Sequence, residues 1–304
     1  DCNSLRGQPC RTAPPIENRV VDGDFCPVSL CPLPETIHAE RPSEFVVPGD
    51  YDASKEYPLV VVLHGFGAFG SIQSFILGVT QQVDTRDFVL VHPDGTVDPD
   101  GRRFWYSGAS CCGTPQDDVG YLTSLIEEAK STFNINEDQV YLFGHSNGGF
   151  MSYTLVAEKP DVFKATASII GTMSGYTWKH RDQIKPVSIL QISGLDDKII
   201  PYDGSMSPKG GWGGAPNQDV IMDFWKSLNQ TKTEDIVKIS DKTTAHYYKD
   251  GVNGNQVWHY KIKRFGHRFP HKGNGTGISS AEEIWRFFGA VSRKSEERKV
   301  PKTD

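Results

Sequence analysis

Apolar residues in this chain gather in short unbroken runs, and amphipathic stretches lie between them. Tyr57-Pro-Leu-Val-Val-Val-Leu63 and Phe88-Val-Leu-Val-His92 are such runs, the pattern of strands covered on both faces in a parallel sheet. Val140 to Phe143, Lys164-Ala-Thr-Ala-Ser-Ile-Ile170 and Pro186-Val-Ser-Ile-Leu-Gln-Ile192 repeat the pattern. Ser43-Glu-Phe-Val-Val-Pro48 predicts a first strand, and the alternation in Val257-Trp-His-Tyr-Lys-Ile262 predicts a last one. Helices are expected over 72–83, after the acidic pair Asp117-Asp118, from Phe150 to about Lys159, from Asp219 to Leu228 and from Ser280 to Val291. A carboxylate at a helix start is first of all a cap, which is how the acidic pair is taken. Strands alternating with helices at this spacing indicate βαβ units, hence an α/β protein with a mostly parallel central sheet and helices on both faces. Chemistry on such a sheet belongs at the carboxyl ends of its strands.

One stretch stands out: Gln139-Val-Tyr-Leu-Phe-Gly144-His-Ser146-Asn-Gly148-Gly149-Phe-Met-Ser152. A buried strand runs into Ser146 and then into a helix, with Gly144 and Gly148 two residues to either side. A serine lifted onto a strained strand-to-helix turn leaves no room for neighbouring side chains, so the glycines fit a nucleophile elbow. The same spacing arises by chance in Gly-rich turns; the flanking strand and helix set this one apart.

A serine hydroxyl is a weak nucleophile without a base, and the base needs an acid to set its tautomer. On this kind of sheet the chain order is nucleophile, acid, histidine. Ser193-Gly-Leu-Asp196-Asp197-Lys-Ile-Ile-Pro201-Tyr202 follows a buried strand; Asp197 is the preferred acid, with Asp196 as alternative or turn former. Among the late histidines, His246 and His259 sit in or beside strand-like segments. His267, in Phe265-Gly-His-Arg-Phe-Pro270, leads, with His271 second. A protonated histidine cannot act as base, so the rate should fall on acidification. Two backbone donors are needed for an oxyanion, and Asn147 together with Phe66, in His64-Gly65-Phe66-Gly67, occupies the positions that supply them. The Asp94, Asp98 and Asp100 group is interleaved with Gly and Pro and is taken as a solvated turn rather than a calcium loop.

Composition adds a compartment. The 304 residues carry a net charge of −6, which leaves no basic footprint for nucleic acid. No apolar run approaches the roughly 18 residues of a membrane span. The start at Asp1 carries no signal-peptide pattern, which is equally what a processed chain shows. Six cysteines are present; Cys2, Cys10, Cys26 and Cys31 lie in a Pro-rich segment with little periodicity, and Cys111 and Cys112 are adjacent. Such a segment buries little core, so disulfides are the expected staples, implying a secreted or periplasmic protein; the spacing suits zinc poorly. Three parts are expected: a Cys/Pro-rich extension over 1–35, an α/β domain over 36–292 and a charged tail over 293–304.

Together these segments resemble the secreted α/β-hydrolases of the polyhydroxybutyrate depolymerase-like and feruloyl esterase-like group, related to carbohydrate esterase family one. The resemblance is carried by Leu63-His-Gly65, Phe104-Trp-Tyr-Ser-Gly108 with Cys111-Cys-Gly113, Asp117-Asp-Val-Gly-Tyr-Leu122, Gly144-His-Ser-Asn-Gly-Gly149, Asp197-Lys-Ile-Ile-Pro-Tyr202, Phe224-Trp225 and Gly266-His267 with Pro270. It implies the α/β-hydrolase fold and a triad of Ser146, Asp197 and His267. It also implies a serine ester hydrolase that forms an acyl-enzyme without cofactor or metal, acting on a polyester or on feruloyl or acetyl esters of polysaccharide. Trp105 is then expected on a loop bordering the ester, and Phe66, Trp105 and Trp212 are candidate substrate contacts. The expected partner is the ester alone, with no nucleic acid, no membrane and a monomeric chain. An inactive hydrolase-fold binding protein, or a peptidase or thioesterase on the same fold, is the alternative. The chain departs from the pattern at Leu195-Asp196 and Leu228-Asn229-Gln230, and the four-cysteine extension has no counterpart.

Overall fold

The structure is a computed structural model that describes residue 41 and residues 43–108, 115–208 and 212–292. All six cysteines, the extension over 1–35 and the tail over 293–304 lie outside the described residues, so the expected disulfides do as well.

Eleven strands occur among the described residues: β1 (Phe45–Val46), β2 (Tyr57–Leu63), β3 (Val89–Val91), β4 (Thr96–Val97), β5 (Arg103–Phe104), β6 (Ile135–His145), β7 (Ala165–Ile169), β8 (Ser188–Gly194), β9 (Thr233–Lys238), β10 (Thr243–Lys249) and β11 (Val257–Ile262). Seven α-helices accompany them: α1 (Gly70–Ile76), α2 (Val83–Arg86), α3 (Asp118–Thr132), α4 (Asn147–Glu158), α5 (Gly175–Lys179), α6 (Gln218–Leu228) and α7 (Ser280–Ser292). Nine strands form one sheet in the order β1-β3-β2-β6-β7-β8-β11-β10-β9, and β4 pairs with β5 as a separate hairpin. From β3 through β11 the neighbours run parallel; β1, β10 and β9 are antiparallel to theirs.

Alternation along β2 shows why both faces are covered. Leu59, Val61 and Leu63 join one core with Leu122 and Leu125 of α3, Met151 and Leu155 of α4, and Ile221 and Trp225 of α6. Val60 and Val62 point the other way and pack with Phe287 and Phe288 of α7. Each fully buried aliphatic side chain contributes roughly 1.5–3 kcal/mol, so a strand apolar at every position is stable only between two such layers. The helices start where polar side chains satisfy free amides: Asp117 Oδ1 accepts from Gly120 N at 2.8 Å and Asn217 Oδ1 from Val220 N at 3.0 Å.

One expectation is corrected, and two strands lie where none was predicted. The helix predicted over 72–83 breaks after Ile76, where Gly78 at φ 77° turns the chain toward a short 3₁₀ turn, Thr80–Gln82, before α2. Strands β9 and β10 carry no apolar run. Every residue of β9 is exposed because it forms the sheet edge, so its Thr-Glu-Asp-Ile-Val-Lys sequence has no buried face to mark it. The acidic group near residue 98 serves the β4–β5 turn: Asp98 Oδ1 accepts from the amides of Asp100 and Arg102 at 3.0 and 2.8 Å, and Asp94 Oδ1 from Gly70 N at 2.8 Å.

Candidate active site

The sheet itself chooses the place. After β2 the chain crosses to β3 on one side, then returns to form β6 on the other, so the ends of β2 and β6 flank a topological switch point where loops diverge. His64-Gly65-Phe66 leaves the end of β2, and Ser146 leaves the end of β6. Ser146 is held at φ 52° and ψ −114°, a conformation that costs on the order of 1–3 kcal/mol. Its surroundings over-determine it: Ser146 N donates to Ile169 O at 2.8 Å, and Phe150 N to Ser146 O at 3.1 Å. A Cβ on Gly144 would lie 2.1 Å from Gly148 O, and one on Gly148 would lie 2.3 Å from Leu63 O. Those contacts are with backbone that cannot step aside, so both positions require glycine.

Three side chains distant in sequence meet at this turn. Ser146 Oγ lies 2.8 Å from His267 Nε2, and His267 Nδ1 lies 2.8 Å from Asp197 Oδ2. A carboxylate only accepts, so Nδ1 carries the proton and Nε2 is left to accept from the serine hydroxyl. The other carboxylate oxygen, Asp197 Oδ1, accepts from the amides of Ile199 and Ile200 at 2.8 and 2.9 Å, which locks its rotation. Asp197 is 5% exposed, whereas Asp196 is an exposed residue whose amide donates to Phe265 O at 3.1 Å. His271 is also exposed, and its Nδ1 accepts from Gly273 N at 3.1 Å to cap a short turn. The ring of His259 is buried within β11 beside Ser193 Oγ, and burial pushes it down to about 3.

The amides of Phe66, after the end of β2, and of Asn147, directly after Ser146, have no hydrogen-bond partner among the described residues. Asn147 begins α4, where a first-turn N–H has no intrahelical acceptor. Its side chain clamps the neighbouring loop: Oδ1 accepts from Trp105 N at 2.7 Å and Nδ2 donates to Trp105 O at 3.0 Å. His64 is wholly buried, and burial depresses its pKa. Its Nδ1 lies 2.7 Å from Gly65 O, and its Nε2 accepts from Gly95 N at 2.9 Å, a neutral tautomer that braces the Phe66 loop. His145 lies between the elbow and His267, their ring centroids 6.3 Å apart, and both its ring nitrogens are buried without a partner among the described residues. Burial, and then the neighbouring His267, bring it down to about 4.

The aromatic candidates separate. Phe66 is 39% exposed under the guanidinium of Arg102, 4.9 Å from its ring centroid. Trp212 is half-buried and stacks on Phe150 with centroids 3.9 Å apart. Trp105, expected to border the site, is instead completely buried: its Nε1 donates to His64 O at 3.1 Å, and its ring supports the His64 loop from beneath. An indole can be buried whole when its N–H finds an acceptor. The acidic pair taken as a cap divides its tasks, and Asp118 has one the sequence did not indicate. Asp117 provides the cap, and burial raises it to about 7, while the wholly buried Asp118 joins Arg41 Nη1 at 2.6 Å to Tyr106 N at 2.7 Å. The signals for Asp118 itself were a second carboxylate where one suffices and its place in the Asp117-Asp-Val-Gly-Tyr-Leu122 segment.

A family model described as "Putative esterase" matches residues 35–272. The chain is 27% identical over 208 residues to "Putative esterase NocK" of Nocardia uniformis subsp. tsuyamanensis, a match covering 64% of this chain and 59% of that protein. It is 26% identical over 181 residues to "Probable feruloyl esterase C" of Aspergillus flavus, covering 56% and 61%. The chain thus spans less than two thirds of the length of these curated relatives. A solved acetyl xylan esterase from Aspergillus awamori superposes with a TM-score of 0.56 at 13% identity, over 81% of this chain and 93% of that one. That likeness is one of fold, the α/β-hydrolase fold.

Proposed function

The chain belongs to the esterase family so matched, and on that premise we propose that it is a secreted serine carboxylic ester hydrolase working through an acyl-enzyme. His267 Nε2 takes the hydroxyl proton as Ser146 Oγ attacks the ester carbonyl, and the amides of Phe66 and Asn147 receive the oxyanion. Collapse breaks the bond to the alkoxy oxygen, which leaves with the proton from His267. Water, deprotonated by the same ring, then releases the acid and frees Ser146. Asp197 holds the ring in the required tautomer throughout. The observation that carries this reading is the pair of 2.8 Å contacts joining Ser146, His267 and Asp197.

The ester is one borne by a polymer: a feruloyl or acetyl group on polysaccharide, as the names of the relatives suggest, or a polyester. Ser146→Ala should lose turnover of p-nitrophenyl acetate and labelling by a fluorophosphonate while keeping the wild-type unfolding midpoint. A variant that still hydrolyses the ester at a wild-type rate overturns the assignment, and absence of labelling in the wild-type chain points to an inactive hydrolase-fold binding protein.

A further inference from the structure

Strand β9 ends the sheet, and all of its residues are exposed. The ladder fixes which of its backbone groups are free. Thr243 O accepts from Ile239 N at 2.9 Å, and Lys242 O accepts from Lys263 N at 2.9 Å, so the odd-numbered residues of β10 face β9 and the even-numbered ones face β11. Backbone groups alternate in direction along an antiparallel strand. In the observed register Thr233, Asp235 and Val237 oppose Lys249, Tyr247 and Ala245, and they turn their N–H and C=O groups toward β10. Glu234, Ile236 and Lys238 turn theirs to the open edge. Their side chains also share one face of the sheet, and Ile236 is 61% exposed. An acid, an isoleucine and a base at alternate positions make this edge its own complement.

We propose that β9 pairs antiparallel with β9 of a second copy of this chain, about a two-fold axis through Ile236, joining the two sheets into one. In that register Glu234 faces the partner's Lys238, Lys238 faces the partner's Glu234, and the two isoleucines meet at the axis, an isologous contact. Outward residues must oppose outward residues, because a backbone group already bonded to β10 has nothing to offer. The neighbouring registers that obey this rule fail on charge. Centred on Asp235, the pairing sets two aspartates together and Lys232 against the partner's Lys238; centred on Glu234 it joins two glutamates, and centred on Lys238 two lysines. Centred on Val237, no opposite charges meet along the strand. Like charges directly opposite destabilise a strand pair and opposite charges stabilise it. Charged residues ordinarily keep an edge from pairing; here they reject the neighbouring registers and admit this one. Lys238 Nζ now lies 2.8 Å from Asp241 Oδ1, and Glu234 Oε1 lies 3.2 Å from His246 Nδ1, surface contacts of a kind that contribute little and exchange readily. A strand of 6 residues spans about 20 Å, which makes a weak, reversible dimer rather than an obligate one. None of the site residues lies on β9, so the association stands apart from the ester chemistry.

The test is sedimentation equilibrium of the full chain from about 1 to 500 µM, with the urea unfolding midpoint of each variant as the check on folding. The wild-type mass should rise with concentration from one chain toward two. Lys238→Glu alone and Glu234→Lys alone should each raise the dissociation constant roughly tenfold or more, because both symmetric pairs turn repulsive. The double variant carrying Glu234→Lys and Lys238→Glu restores opposite charges across the axis and should return the constant to within about threefold of wild type. Ile236→Pro removes an outward N–H that β10 does not use, and should abolish the dimer while the strand stays in its sheet. A wild-type chain that remains monomeric throughout overturns the proposal. So does a folded single reversal that leaves association unchanged, or a folded double variant that fails to recover it.

Discussion

Replacing Asp197 by asparagine is the most discriminating perturbation of the proposed mechanism. The carboxylate has two distinct tasks: Oδ1 accepts from the amides of Ile199 and Ile200, and Oδ2 faces His267 Nδ1 at 2.8 Å. An asparagine has one acceptor oxygen. Two backbone donors fix that oxygen at the Oδ1 position, so the NH₂ group is forced toward the histidine. Nδ1 must then accept, its proton moves to Nε2, and Nε2 can no longer take the proton of Ser146. Folding should change little, because every buried donor keeps an acceptor. Catalysis should fall by about 10⁴ in kcat/KM, the size seen when a triad acid is made neutral, or about 5 kcal/mol of transition-state stabilisation. The assay is p-nitrophenyl acetate hydrolysis at pH 8 together with a urea unfolding curve. Asp196→Asn serves as the control and should stay within twofold, since Asp196 is exposed. A loss smaller than tenfold for Asp197→Asn, or a large loss for Asp196→Asn, would refute the reasoning.

Two further outcomes test the scaffold. Asn147→Ala leaves the wholly buried Trp105 N–H and C=O without their side-chain partners and should destabilise the fold by about 2–4 kcal/mol in urea titration, even though the Asn147 amide itself is retained. Stability should also fall as the solution is acidified from pH 7 toward 4. Burial holds His145 down to about 4 and His259 down to about 3, so below about 6.5 the unfolded chain takes up protons that the folded chain refuses. This stability is complete above the ordinary histidine range and is lost as pH falls through the folded values; His145 alone accounts for about 3 kcal/mol by pH 4. A urea midpoint that is flat between pH 7 and 4.5 contradicts this account.

Periodicity by itself determined the parallel half of the molecule. Runs such as Tyr57 to Leu63 have one physical meaning, burial on both faces, and β2 occupies that stretch residue for residue. The Gly144 to Gly148 spacing likewise encodes a local requirement, since the clashes a Cβ would meet lie within the turn and against the adjacent strand. Tertiary structure decided what local pattern does not carry. Edge strand β9 has no buried face, so nothing in Thr233 to Lys238 marks it as a strand until β10 pairs with it. Asp196 and Asp197 are chemically identical neighbours; only the closure of the 265–267 loop against the end of β8 turns one to the solvent and the other to His267. Trp105 resembles an exposed loop aromatic until the backbone oxygen of His64 arrives from another strand to accept its proton. Residues that act through their neighbours in sequence are legible from the chain. Those that act through contacts made 42 to 121 positions away, such as Trp105 with Asn147 and Ser146 with His267, acquire their role only when the sheet brings the strand ends together.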